Sequence, residues 1–265
     1  MWCIDFKGWF RTADRALCDP LTVSDAFSRY LLCAQGLARA DYAGCRTQLE
    51  RVFREYGLPR MMRSDNGAPF ASTGAGGLSR LGVWWVKPGI TPERIEPGKP
   101  EQNGRHERMH KTVKAETASP PAANLAQQQQ RFDRFRHEFN HERPHEALGQ
   151  TTPDQHYCAS LRRYPARLVD PAYPPDYQVR RVRSNGEIKW AGEKIFLSMP
   201  LIGEIVGVKE IDNGDAELYF GPIQLAVIDR VTRKFKRSSP NRRGEQPSSH
   251  STPANPEKVL PMLPD

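Results

Sequence analysis

Apolar and polar residues change period several times along the chain, and each change predicts an element. Apolar runs around Trp2 to Phe10, Ala16 to Ser24 and Tyr30 to Gln35 read as three strands, with 24–29 as the turn between the last two, so Asp25 is a turn residue. Cys45, Leu49, Val52 and Phe53 recur at helical spacing between Ala43 and Tyr56, and Gly57 followed by Pro59 supplies a stop. Met61 to Ser64 reads as a strand closed near the turn pair Asn66-Gly67. The unbroken apolar run Leu81 to Val86 reads as a buried strand, and the Pro- and Gly-containing segment 88–100 as a mobile connection. Asn103 is placed to cap a helix running through Lys114. After a break at 119–124, Leu125 to Asn140 carries Phe132, Phe135 and Phe139 on the inward face of a second polar helix.

Beyond this point the period shortens. Four prolines between Tyr164 and Tyr177 make a stiff extended linker. Six alternating segments follow, at 177–182, 187–190, 193–197, 204–211, 216–220 and 223–229, separated by Gly-containing turns. They predict a small β-barrel. The remainder opens with Arg233, Lys234, Lys236 and Arg237, then becomes Ser- and Pro-rich, which predicts a disordered basic tail able to drape on DNA. The organisation expected is an α/β domain at 1–163, a linker at 164–176, the barrel at 177–230 and the tail at 231–265.

Composition narrows the partners. A net charge of +8 attracts polyanions without specifying one. Five dispersed cysteines, odd in number and without a C-x-x-C pair, indicate neither a zinc knuckle nor a disulfide framework, and fit small hydrophobes in a reducing cytosol. No run approaches the ~18 apolar residues of a membrane span, and 1–11 lacks a signal-peptide pattern, so a soluble, cytoplasmic protein is expected.

Three acids carry the candidate chemistry. Asp5 ends the first strand, Asp65 follows the strand at 61–64, and Glu107 falls early in the helix after Asn103, so two strand ends and a helix can converge. Three clustered carboxylates repel strongly unless divalent cations sit between them, and hard oxygen donors favour Mg²⁺ or Mn²⁺ over zinc. From spacing alone the three read equally well as unrelated surface acids among 31. Glu107, Lys111 and Lys114 share one helical face, which suits a passing phosphate or an ordinary Glu–Lys pair. His106-Glu107-Arg108-Met109-His110 also spells the zinc peptidase motif H-E-x-x-H. Against that reading, the helix continues wet and basic through 111–116 and no clear third ligand follows; His106 and His110 then read as exposed helix residues near DNA. Glu142 and Glu146 belong to a structural turn.

The strings IDFKGWF, LTVSDAFSRYLL, YGLPRMMRSDNGAPF, IEPGKPEQNGRHERMHKTVK and FNHERPHEALGQTTP, in this order from Asp5 to Pro153, resemble the successive blocks of DDE-type insertion-sequence transposases, whose core is similar to that of retroviral integrases. The resemblance covers more than half of the chain. It implies an α/β, RNase H-like core with a mixed five-stranded sheet and flanking helices, followed by a small C-terminal β-barrel. It implies Asp5, Asp65 and Glu107 as catalytic acids holding two Mg²⁺ (or Mn²⁺) ions, Asp5 bridging both, with Lys111 and Lys114 contacting the DNA end. The expected activity is cleavage and transfer of DNA strands by a homo-oligomer on double-stranded DNA, associated with the nucleoid when bound; the alternative is a catalytically silent DNA-binding remnant. The familiar spacing implies 35 residues between the second Asp and the Glu, whereas 41 separate Asp65 from Glu107; loop length in 71–80 or 89–96 absorbs the difference. Glu101 restores the count of 35 but precedes the Asn-Gly signal. Relatives of this kind carry helix-turn-helix domains before the first Asp, so the sequence predicts either a separate recognition chain or a truncated product.

Overall fold

The computed structural model describes residues 1–6, 8–96 and 104–236, apart from the side chains of 104–107. The first apolar run breaks near Gly8 into β1 (Trp2–Phe6) and a two-residue β2 (Phe10–Arg11), both lying against the long β3 (Leu17–Asp25). On the other side of β3 runs β4 (Leu31–Leu37), while β5 (Met61–Ser64) and β6 (Thr91–Arg94) extend the sheet beyond β1. The spatial order β4-β3-β1-β5-β6 joins β4, β3 and β1 antiparallel and β1, β5 and β6 parallel. This is the expected mixed sheet of five strands, with β2 added.

Strand alternation sends successive side chains to opposite faces, and helices cover both. On one face α1 (Tyr42–Tyr56), capped by Asp41 accepting from the Gly44 amide, buries Cys45, Leu49, Val52 and Phe53 against Trp2, Ile4, Leu21 and Met62. Gly57 ends it at φ 76, where a Cβ would stand 2.3 Å from the Ser160 carbonyl oxygen, so only glycine fits. On the other face α3 (Gly104–Thr117) and α4 (Leu125–His141) pack Met109, Val113, Phe132, Phe135 and Phe139 over Cys18, Leu31 and Ala34.

Two expectations are corrected between these elements. Leu81 to Val86 is no strand: it lies in the helix α2 (Arg80–Val86), whose N-cap Ser79 accepts from the Gly82 amide and whose residues 81–86 are all buried. Burial on every side erases the periodicity that would have distinguished helix from strand. The fifth strand is instead β6, inside the segment expected to be mobile. It tolerates Pro92 because, among the described residues, it is an edge strand paired with β5 alone.

The C-terminal region builds β7 (Gln178–Arg181), β8 (Glu187–Trp190), β9 (Glu193–Phe196), β10 (Ile205–Glu210), β11 (Ala216–Phe220) and β12 (Ile223–Ile228). They form an antiparallel sheet in the order β12-β11-β10-β7 and a separate β8–β9 hairpin around one core. Among the described residues no strand pairing joins the hairpin to the larger sheet. Ala75, Leu78, Val83 and Val86 of the first region belong to the same core. The Pro-rich connection docks on both regions: Tyr164 and Leu168 pack on the first core, while the Tyr173 hydroxyl donates to the Ile205 carbonyl at 2.9 Å. No described helix is long and apolar enough to cross a membrane.

Beyond β12 the chain stays tied down as far as Lys236, whose amide donates to the Val227 carbonyl and whose ammonium meets Asp215 and Asp229. The amides of Thr232 and Val231, both donating to Asp229, hold its carboxyl well below the ordinary 3.8, at about 2. A depressed folded-state pKa stabilises above the unfolded value and is lost as pH falls through the folded one. Asp229→Asn should therefore lower the urea midpoint at pH 6 and make less difference near pH 2. An equal offset at both pH values would contradict this electrostatic tie.

Candidate active site

Asp5 sits near the end of β1, where alternation places it with Cys3 on the face opposite Trp2 and Ile4. β5 runs parallel beside it in the register Trp2↔Met62 and Cys3↔Arg63. The ladder ends there, and Asp65 follows β5 directly; the same register continued for two residues would bring position 65 level with Asp5. Met62 is buried in the α1 core, so the alternation puts Arg63 and Asp65 on the Asp5 face. Both carboxylates are half-buried.

The turn after β5 is built around Asp65. Its Oδ1 accepts from the Gly67 amide at 3.1 Å, and a Cβ on Gly67 would lie 3.0 Å from Oδ2, tighter than the turn tolerates without shifting. Asn66 donates its side-chain amide to the Ile95 carbonyl at 2.9 Å, anchoring the turn to the exit of β6.

Helix α3 brings the third acid. Glu107 lies in its first turns, one turn before His110, and its side chain lies outside the described residues, as do His106 and Glu101. His110 is buried, which corrects the exposure expected of it. Its Nε2 stands 2.5 Å from the Thr22 hydroxyl and its Nδ1 3.7 Å from Asp5 Oδ2. The helix residue one turn after Glu107 thus touches the acid at the end of β1. Both ring nitrogens therefore face protein groups, Thr22 on one side and Asp5 on the other.

Lys111 and Lys114 are exposed on the same helix. Beside the acid-bearing face opens a cavity of about 780 Å³ lined by Cys3, Arg29, Arg63, Arg108, Thr112 and His145. Burial pushes the Cys3 thiol up, keeping it neutral, and lowers His145. Arg63 is held by Glu93 at 3.1 Å. Of the tail cations, Arg233 lies over the Trp190 ring at 4.9 Å, Lys234 is exposed, Lys236 is paired with acids, and Arg237 lies outside the described residues. Glu142 and Glu146 are exposed, and Asp25 accepts from the Ser28 amide in a turn. Sequence reasoning missed Thr22 and the burial of His110. The hairpin register Asp5↔Thr22 was the available signal for the first.

Residues 88–153, which include Glu107 and the block ending at Pro153, match the integrase core domain family. An uncharacterized 39.2 kDa protein of insertion element IS476 from Xanthomonas euvesicatoria is 31% identical over 188 residues, covering 67% of this chain and 49% of the relative. The chain thus carries an integrase-core segment and is similar to insertion-element proteins. A second relative, an uncharacterized 31.7 kDa protein of insertion element IS407 from Burkholderia multivorans, is 28% identical over 160 residues, 58% of this chain and 54% of its own length. This integrase-core chain therefore spans about half the length of the curated relatives it matches. Among solved structures it is similar to a chain of the simian T-cell lymphotropic virus intasome in complex with PP2A regulatory subunit B56 gamma, at 15% identity and TM-score 0.48 over 84% of this chain and 76% of that one. It is also similar to the HTLV-2 integrase catalytic core domain in complex with magnesium, at 13% identity and TM-score 0.44 over 58% of this chain and 93% of that one.

Proposed function

We propose that the chain cleaves and joins DNA strands as a transposase, with Asp5, Asp65 and Glu107 as the acids of one divalent-metal site. The observation that carries this reading is the docking of α3 through His110 onto the strand end of Asp5, on a strand paired parallel with β5, which Asp65 follows. The donor set suits Mg²⁺ or Mn²⁺: half-buried carboxylate oxygens, with the nearby Cys3 thiol pushed up and so a poor soft ligand. Two such ions, when bound, supply activation of the attacking oxygen and charge relief at the leaving oxygen.

The chain's own part is placement. The sheet carries Asp5 and leads directly into Asp65, and Glu107 would join them from α3. Lys111, Lys114 and the arginine-lined cavity draw the phosphate backbone across them. In the first step a water oxygen bonds to phosphorus as the P–O3′ bond breaks; the water's proton passes to solvent, and the departing 3′ oxygen takes one up. In the second, the freed 3′-hydroxyl attacks a target phosphorus, releasing the target's own 3′-hydroxyl. Several copies assembled on double-stranded DNA would let two element ends meet one target. The test is nicking of a labelled duplex carrying the element end by the full chain, with Mg²⁺ or Mn²⁺ and with a chelator. Metal-independent nicking, or none under any metal, would overturn the reading.

The lysines make a separable prediction. Lys111→Ala and Lys114→Ala should each weaken binding to every duplex and make the slope of log K against log salt shallower by about 0.9 for each phosphate no longer neutralised. A change in sequence preference instead would assign them to base readout.

A further inference from the structure

The second histidine of His106-Glu107-Arg108-Met109-His110 is buried between Thr22 and Asp5. We propose that His110 is a positioning residue: with Thr22 behind it, the imidazole aims Asp5 at the metal. The inference rests on the reading of Asp5 as a metal-holding acid, and concerns how that acid is oriented.

Thr22 lies directly opposite Asp5 in the β1–β3 ladder and is fully buried. Its hydroxyl is within reach of two acceptors, His110 Nε2 at 2.5 Å and the Asp5 carbonyl at 3.2 Å. A hydroxyl has one proton to give, and the two choices leave different imidazoles. If the proton goes to the carbonyl, Nε2–H must donate to Thr22, and the Nδ1 lone pair of a neutral ring faces the Asp5 carboxylate, an arrangement of mutual repulsion. If it goes to Nε2, the ring proton sits on Nδ1 and its N–H points towards Asp5 Oδ2, 3.7 Å away. The second choice satisfies Nε2 through the shorter of the two distances and turns repulsion into attraction. A ring protonated on both nitrogens also turns an N–H towards Asp5, so in either favourable state the network puts a proton on Nδ1.

That geometry has a consequence for ligand binding. At 3.7 Å, longer than a hydrogen bond, the Nδ1–H attracts Oδ2 by its dipole and biases the orientation of the carboxylate. A carboxylate fixed in one rotamer loses less freedom when it binds metal, and outer partners of this kind alter metal affinity by roughly 10- to 100-fold when removed. Thr22 and His110 come from β3 and α3, so the same relay ties the position of α3, and with it Glu107, to Asp5.

The test is Mn²⁺ titration of the full chain, followed by electron paramagnetic resonance without turnover, alongside the Mg²⁺ dependence of nicking. Thr22→Val keeps the shape and removes the hydroxyl; Thr22→Ser restores it. Thr22→Val and His110→Gln, which keeps a polar group at the Nε2 position but lacks the Nδ1 donor, should each raise the half-saturating Mn²⁺ concentration by about tenfold or more, with duplex binding unchanged and Thr22→Ser within about twofold of the parent. Should His110→Gln fail to fold, the Val and Ser pair at position 22 decides alone. Parent-like titration of the Thr22→Val and His110→Gln chains would overturn the proposal, leaving His110 a core residue. Asp5→Asn separates the two readings: if it titrates and nicks like the parent, the assignment of Asp5 itself fails; if it loses metal while the others do not, only the relay fails.

Discussion

Asp5→Asn, Asp65→Asn and Glu107→Gln should each lower strand nicking by about 10³-fold or more, a rise of ~4 kcal/mol in the barrier, while duplex affinity stays within about twofold. The charge, not the shape, is removed in each case. Asn and Gln keep the size and one oxygen but cannot neutralise a cation, and carboxylates gathered at one site would repel each other without one. Binding should survive because the exposed cations Lys111, Lys114 and Lys234, and the arginines lining the cavity, lie outside the triad. Quantitative nicking on the labelled duplex, with binding measured at one fixed salt concentration, checks both halves. If Glu107→Gln stays active while Glu101→Gln is dead, the third acid is Glu101.

Phe132→Ala should be the most damaging change in the core. Phe132 is 0% exposed and sits where α4 meets both the sheet and α3, against Met109, Val113, Cys18 and Leu31. Truncating a buried phenylalanine costs about 3–5 kcal/mol, from the transfer free energy of the ring and from the cavity left behind. That is a large share of the 5–15 kcal/mol that holds an ordinary domain together. Because Met109 and Val113 rest in the same cluster, α3 should lose its seat, so nicking should fall at temperatures where the α1 side remains folded. Urea unfolding with near-ultraviolet circular dichroism measures the first effect. A loss of less than ~1 kcal/mol would mean that the site collapses around the void.

The sequence made some elements readable because their two faces meet different surroundings. α1 and α4 bury one stripe each, and Cys45, Leu49, Val52 and Phe53, like Phe132, Phe135 and Phe139, are found where the period put them. β8 and β11 lie within the alternation that predicted them, between Gly-containing turns that leave little choice of boundary. α2 reads as a strand because 81–86 are buried all round, and β6 reads as a loop because of its proline, which an edge strand accommodates. The site divides in the same way. Asp5 and Asp65 stand at strand ends visible in the pattern. His110 looks exposed in the sequence because it precedes Lys111, yet Met109, His110, Val113 and Thr117 form the buried side of α3. Only the fold brings that side against Thr22, 88 residues earlier.

The central claim, that these carboxylates hold metal for strand chemistry, is tested most directly by changing a donor and then the metal. In Asp65→Cys the new thiolate is a softer donor than carboxylate and should disfavour Mg²⁺ more than Mn²⁺. The account predicts nicking by this chain that is lost with Mg²⁺ and recovers at least in part with Mn²⁺, while Asp65→Ser recovers with neither. Equal nicking by Asp65→Cys and Asp65→Ser in both metals, at the level of the parent, would contradict a metal-holding role for this acid.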